Sequence, residues 1–232
     1  MLPAPVVPHY DIELPISKQR VKYRPFLVKE ERILLLAVEE ESEDVLKSAI
    51  IQIIDNCTFN KLQVDKLPVA DFEYLFVLVR SRSISEIINL NKKCTACDKD
   101  FEFEVNLNDI QVTNNIKNKN VVLSDNIIIT MKFPTVGGVI GIPSDISVES
   151  IDLYAIASCI ELITIDDIVH EAKDMSLSEL VAWLEMLQSK QLNILKDWST
   201  DLPKVTYAAD VKCKHCGIDN PVALEGLNSF FV

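Results

Sequence analysis

Glycine is scarce in this chain, at five residues in 232, which excludes collagen-like and Gly-rich low-complexity architectures. Long apolar runs are missing too. The most apolar segments, "RILLLAV" and "YAIASCI", fall far short of the roughly 18 consecutive apolar residues of a membrane span. The opening "MLPAPVVPHYDIELP" lacks a basic stretch followed by an apolar core, so no secretory signal is expected and a reducing cytoplasm is the expected folding compartment. Positive charge is the minority: 23 Lys and Arg stand against 35 Asp and Glu, a net −12. Such a surface repels a phosphate backbone, so neither nucleic acid nor membrane is an expected partner. Catalytic sets are also wanting. "IDDIVHEAKD" surrounds His170 with Asp166, Asp167 and Glu171, but without the HExxH spacing it reads as a solvated interhelix turn. His9 and His215 have no nucleophile or carboxylate partner. "FPTVGGVIGIP" has no Gly-Lys-Ser/Thr after it and reads as a bend or loop. No catalytic and no cofactor-binding residue is assigned, and an enzyme is not expected.

What remains is an ordinary globular composition, 48% hydrophobic and 25% charged, in a chain long enough to bury a real core. Pro3, Pro5, Pro8 and Pro15 stiffen an extended arm over 1–20, spaced by Leu2, Val6, Val7, Tyr10 and Leu14. Residues 21–86 read as mainly helical. "KEERILLLAVEE" favours helix, with a strand as the alternative for its apolar run. Ser42 is placed to cap a helix buried through Val45, Leu46, Ala49, Ile50, Ile53 and Ile54. Asp71 is placed to cap a third, with Phe72, Leu75, Phe76 and Val79 inward. Alternation of Ile88 and Leu90 with Phe101, Phe103, Val105 and Leu107 predicts a hairpin. "VVLSDNIIITMKF" predicts another. Two helices follow, "SVESIDLYAIASCIELI" and the long "MSLSELVAWLEMLQSKQLNILKDW", the latter opened by a Ser176–Glu179 capping box. "KVTYAADVKCKHCGIDNPVALEGL" returns to strand–turn–strand. The expected fold class is α+β: a helical N-terminal region and an inserted helical subdomain joined by a zinc-ribbon-like pair of β-hairpins. The hairpin module covers 87–108 plus 205–228, the insertion covers 109–204, and an apolar tail covers 229–232.

Four of the six cysteines form two CxxC pairs, Cys94/Cys97 and Cys213/Cys216, each in a predicted hairpin turn. A two-residue spacer lets one tight turn present two sulfurs to one ion, and tetrahedral zinc takes four thiolates. Gly217 follows the second pair and tolerates the positive φ such a turn asks for; Asp98 stands in the same place after the first. Zinc with four thiolates carries −2, and Lys92, Lys93, Lys99, Lys212, Lys214 and His215 cluster around the pairs, as compensation rather than as a nucleic-acid patch. The long separation of the pairs costs only logarithmically in closure entropy, and binding energy at such a site is largely folding energy. A structural zinc is therefore expected at Cys94, Cys97, Cys213 and Cys216. A rubredoxin-like iron site, a thioredoxin-like redox pair and disulfides within each pair are the alternatives. Cys57 and Cys159 lie in apolar helical contexts and read as buried bystanders.

Two further stretches carry a resemblance. "LPISKQRVKYRPFLVKEERILLLAVE" and "VDKLPVADFEYLFVLVRSRSISE" resemble two blocks of the baseplate hub proteins of T-even-type contractile-tailed phages. The similarity continues through the first CxxC and "FPTVGG", covering roughly the first 140 residues. It implies a non-enzymatic structural or assembly protein of the tail baseplate, assembled in the host cytoplasm. Its partners would be other hub proteins, in homo- or hetero-oligomers. The Pro-rich arm and the terminal "FFV" would suit capture of neighbours, although Phe230 and Phe231 could equally fold back onto the hairpins. Arg24, Lys29, Glu30 and Glu31 are set for ion pairs, within the chain or between subunits. A zinc-ribbon adaptor of transcription and an electron carrier are the rival classes, the first opposed by the net charge.

Overall fold

A computed structural model describes residues 5–40, 42–115, 118–143 and 146–230. In chain order the elements are β1 (Tyr10–Glu13), β2 (Arg20–Tyr23), α1 (Val28–Glu39), α2 (Glu43–Cys57), α3 (Val69–Ser83), β3 (Ile87–Lys93), β4 (Asp100–Asn106) and β5 (Gln111–Thr113). There follow β6 (Asn120–Ser124), β7 (Ile127–Met131), α4 (Val136–Ile140), α5 (Val148–Ser158), β8 (Ile160–Ile165), β9 (Ile168–Glu171), α6 (Leu177–Glu185), α7 (Ser189–Thr200), β10 (Lys204–Lys212) and β11 (Asp219–Glu225). The class is α+β, with small antiparallel sheets. The chain divides into two compact units, one of residues 1–64, 70–113 and 204–232, the other of 65–69 and 114–203.

In the first unit, β3 pairs with β4, and β10 pairs with β11 on one side and β5 on the other, all antiparallel. Period-two alternation drives Ile88, Leu90, Phe101, Phe103, Val105 and Val222 to one side, where they meet Val77 of α3. Phe230 lies in the same core, only 1% exposed. Of the two readings of the tail, Phe230 takes the second and folds back onto the hairpins: burying an aromatic ring there outweighs leaving it in water. Phe231 and Val232 lie outside the described residues, as does Leu2 of the arm.

The described part of the arm is more than an extended segment, since β1 and β2 form a hairpin. Its turn buries Leu14 and passes through Lys18 at φ 58°. Asp71 does not cap α3, which starts two residues earlier at Val69. Its carboxylate is fully buried and accepts the backbone N–H groups of Ile16 and Ser17, each at 2.8 Å. The first turn of α3 supplies a favourable dipole for that charge.

At the start of α1, Glu30 is also fully buried. It accepts from the Arg24 guanidinium at 3.0 Å and from the Leu27 N–H at 2.8 Å, so these charges pair within the chain. Burial alone would raise the Glu30 carboxyl, but the Arg24 hydrogen bond, the Leu27 N–H and the charges of Arg24 and Lys29 take it below its usual value. Ser42 does occupy the N-cap of α2, without a side-chain cap bond. Ala49, Ile50, Ile53 and Ile54 are buried, whereas Val45 faces outward.

The second unit departs more from expectation. The apolar run after α5 leaves the helix: Ile160–Ile165 becomes β8, pairing with β7, and then turns through Asp166 and Asp167 into β9. Both turn residues have positive φ, 47° and 64°, the two-residue turn that matches strand twist. His170 is therefore an exposed strand residue rather than part of an interhelix turn. The long helix is two helices, α6 and α7, each opened by a capping box, Ser176–Glu179 and Gln188–Gln191. "FPTVGGVIGIP" is not only a bend or loop: it contains the short α4, whose N-cap Thr135 accepts the Gly138 N–H at 3.1 Å. Ile129, Met131, Ile160, Leu184 and Leu195 centre this unit's core.

Candidate metal centre

The two CxxC pairs sit in the turns of β3–β4 and β10–β11, and the turns have one construction. Cys94 N–H donates to the Lys99 carbonyl at 3.0 Å and Asp98 N–H to the Cys94 carbonyl at 3.1 Å. Cys213 N–H likewise donates to Ile218 and Gly217 N–H to Cys213, both at 2.9 Å. Asp98 and Gly217 take the left-handed conformation, at φ 56° and 73°. Within each turn backbone N–H groups point back at the first sulfur, among them Ala96 N–H to Cys94 Sγ and His215 N–H to Cys213 Sγ, each at 3.4 Å.

These turns bring all four sulfurs within 4.8 Å of one another, the one such group of potential metal ligands among the described residues. Cys94 and Cys216 sulfurs are 3.6 Å apart, and those of Cys97 and Cys213 3.8 Å. A tetrahedron with metal–sulfur distances of about 2.3 Å has edges of about 3.8 Å, so the set fits one ion. Cys94 and Cys213 are buried, Cys97 half-buried and Cys216 exposed. An ion held here would have the hydrophobic core on one side and solvent on the other.

Asn220 crosses from one turn to the other and has no exposed surface. Its amide oxygen accepts from Thr95 N–H at 2.9 Å and Thr95 Oγ1 at 3.1 Å. Its nitrogen donates to the Ile218 carbonyl at 2.9 Å and towards Cys94 Sγ at 3.6 Å. All four bonds an amide side chain can make are thereby used. Nothing in the sequence around Asn220 marks it, because its partners lie far away in the chain.

The electrostatics of the sulfurs are uneven. Backbone N–H groups of Ala96 and Cys97 aimed at the sulfur draw the Cys94 thiol down to about 6. At Cys216 the Ile218 N–H pulls downward, yet desolvation and the sulfurs of Cys94, Cys213 and Cys97 push it up to about 12. Cys94 thus gives up its proton before Cys216 does, and a divalent cation would displace the proton that Cys216 keeps. The surrounding lysines pair with carboxylates: Lys93 with Asp98 at 3.4 Å and Lys214 with Glu102 at 3.9 Å. Lys92 donates to the Pro221 carbonyl at 2.6 Å, and His215 Nε2 lies 3.1 Å from the Asp100 carbonyl oxygen.

The other cysteines are apart from this group. Burial pushes the Cys57 thiol up to about 12 and that of Cys159 up to about 11, values at which neither is a ready nucleophile or ligand. His9 packs edge-on against Phe59, with centroids 5.0 Å apart.

A family model described as T4 bacteriophage base plate protein matches residues 7–232. The chain belongs to this family. The match passes the first 140 residues, where the quoted motifs lie, and takes in the second unit and the second CxxC turn. No curated protein and no solved structure gives a significant match. As a T4-type baseplate protein it falls in a structural family, and its place is the tail baseplate of the virion. No helix among the described residues is long and apolar enough to cross a membrane.

Proposed function

We propose that the protein is a non-enzymatic structural or assembly component of the baseplate hub, its first unit clasped by a structural zinc on Cys94, Cys97, Cys213 and Cys216. The family match over residues 7–232 carries the baseplate reading, and the close approach of four sulfurs carries the clasp. In this reading 87–108 and 205–228 act as one zinc-ribbon-like module, with 109–204 as its insertion. Function lies on surfaces that meet other hub proteins, in homo- or hetero-oligomers assembled in the host cytoplasm. Nucleic acid and membrane are not partners; a net charge of −12 supports the first of these.

Tagged protein recovered from infected cells and analysed by mass spectrometry should bring down hub and other tail proteins. Their absence would overturn the hub assignment. Elemental analysis of the purified protein should find one zinc per chain in a colourless solution. Iron on four thiolates would show visible absorbance lost on reduction, and would replace zinc in this account. Free alkylation of all four cysteines in the folded protein would eliminate the clasp.

A further inference from the structure

Helix α1 packs against α2 and buries Ala37 and Glu30, yet the face opposite these two residues is apolar and open. Val28, Leu35, Leu36 and Val38 are 72%, 57%, 58% and 52% exposed. Adjacent turns of one exposed helix seldom carry so much aliphatic surface unless something covers it.

The charges along the stripe say what covers it. Arg32 lies one turn before the Leu35–Leu36 pair and Glu39 one turn after it, both exposed. Neither makes an ion pair with another described residue of its own chain. The arrangement is symmetric in position and opposite in sign about the centre of the stripe. A second α1 laid antiparallel across a two-fold axis near Leu35 and Leu36 would meet leucine with leucine. It would also set each Arg32 beside the partner's Glu39, twice by symmetry. A parallel pairing would oppose Arg32 to Arg32 and Glu39 to Glu39. Glu39 closes a helix whose last turn has no basic residue. An acidic side chain there opposes the negative end of the helix dipole, and a guanidinium from another chain relieves it. The stripe thus contains its own complement, which a generic apolar partner would not require.

We infer that α1 is a self-association surface: two copies of this chain pair through antiparallel α1 helices, with Arg32–Glu39 ion pairs flanking a Leu35/Leu36 core. A 12-residue helix is about 18 Å long. Two such helices bury less than the roughly 800 Å² per partner of a standard interface, so the association should be reversible and concentration-dependent. The inference rests on neither the metal nor the hub assignment.

Sedimentation equilibrium of the full chain, from about 5 µM to about 500 µM, should show monomers giving way to dimers. Leu35→Glu, at an exposed position where the fold is unaffected (checked by circular dichroism), should leave only monomer across that range. Arg32→Glu alone should weaken association about tenfold, and Arg32→Glu with Glu39→Arg should restore it to within about threefold. A wild-type chain that stays monomeric at the highest concentration overturns the inference. So does a dimer indifferent to Leu35→Glu, a higher oligomer, or a charge swap that fails to rescue.

Discussion

Three turns in the first unit share one backbone frame, and only two carry cysteines. Between β1 and β2, Leu14 N–H donates to the Gln19 carbonyl at 2.9 Å, Lys18 N–H donates to the Leu14 carbonyl at 3.1 Å, and Lys18 has positive φ. These are the bonds and the conformation found at Cys94–Lys99 and Cys213–Ile218. Leu14 stands where Cys94 and Cys213 stand, and is buried like them. What differs is the acceptor for the inward amides. In the cysteine turns they face sulfur; in the β1–β2 turn those of Ile16 and Ser17 face the Asp71 carboxylate. The knuckle is thus a backbone construction that concentrates N–H donors and asks for an anion. A thiolate or a side-chain carboxylate meets that demand, the first leaving room for a metal and the second sealing the turn with protein alone.

Removing metal should separate these turns most sharply. With a strong chelator, hydrogen exchange at the 94–99 and 213–218 amides should accelerate at least about tenfold while Ile16 and Ser17 keep their protection, because metal binding energy is folding energy only where the sulfurs sit. Equal loss at all three turns would show that the carboxylate turn has no independent anchor. The converse change, Asp71→Ala, removes two charge-assisted acceptors and should cost about 3 kcal/mol in denaturant unfolding. It should release the β1–β2 turn and leave metal content untouched. Asn220→Ala should cost about 2 kcal/mol and weaken metal binding about tenfold or more, through the loss of a bond towards Cys94 and of the tie to Thr95; competition with a chromogenic chelator reads this directly. The smallest effect distinguishes the positive-φ positions. Gly217→Ala should cost about 1 kcal/mol for conformation alone, since a Cβ there meets nothing within 4 Å. Asp98→Gly should fall within about 0.5 kcal/mol of neutral, strain relief offsetting the entropy glycine adds to the unfolded chain.

Local features were readable from the residues. The alternation around Cys94 and Cys97, the Ser176–Glu179 capping box and the inward face of α3 all depend on neighbours within a few positions. The structure agrees with those readings. Where partners are distant, reading failed for a physical reason. Ile160–Ile165 continues the apolar run of α5 and is a strand only because β7 lies beside it. Asp71 looks like any acidic residue at a helix start, yet its bonds go 55 and 54 positions back along the chain. Asn220 reaches 125 positions back to Thr95, a link no local pattern encodes. The break between α6 and α7 is a different case. The Gln188–Gln191 box is a local signal of that break, but the apolar stripe runs on across it and by itself spells one helix.

The separation of the two cysteine turns also sets a timetable. Cys97 and Cys213 are 116 positions apart, so a ribosome adding about 5–20 residues per second leaves the first pair waiting roughly 6–23 s for the second. In that interval the segment 114–203, which makes up nearly all of the second unit, is already synthesised. Two sulfurs hold an ion far less firmly than four, so under the proposed clasp firm capture would come only after Cys216 has emerged. On the proposed zinc clasp, a nascent chain that stops short of that residue would leave the ribosome with the clasp open, and firm metal retention would mark chains read past Cys216.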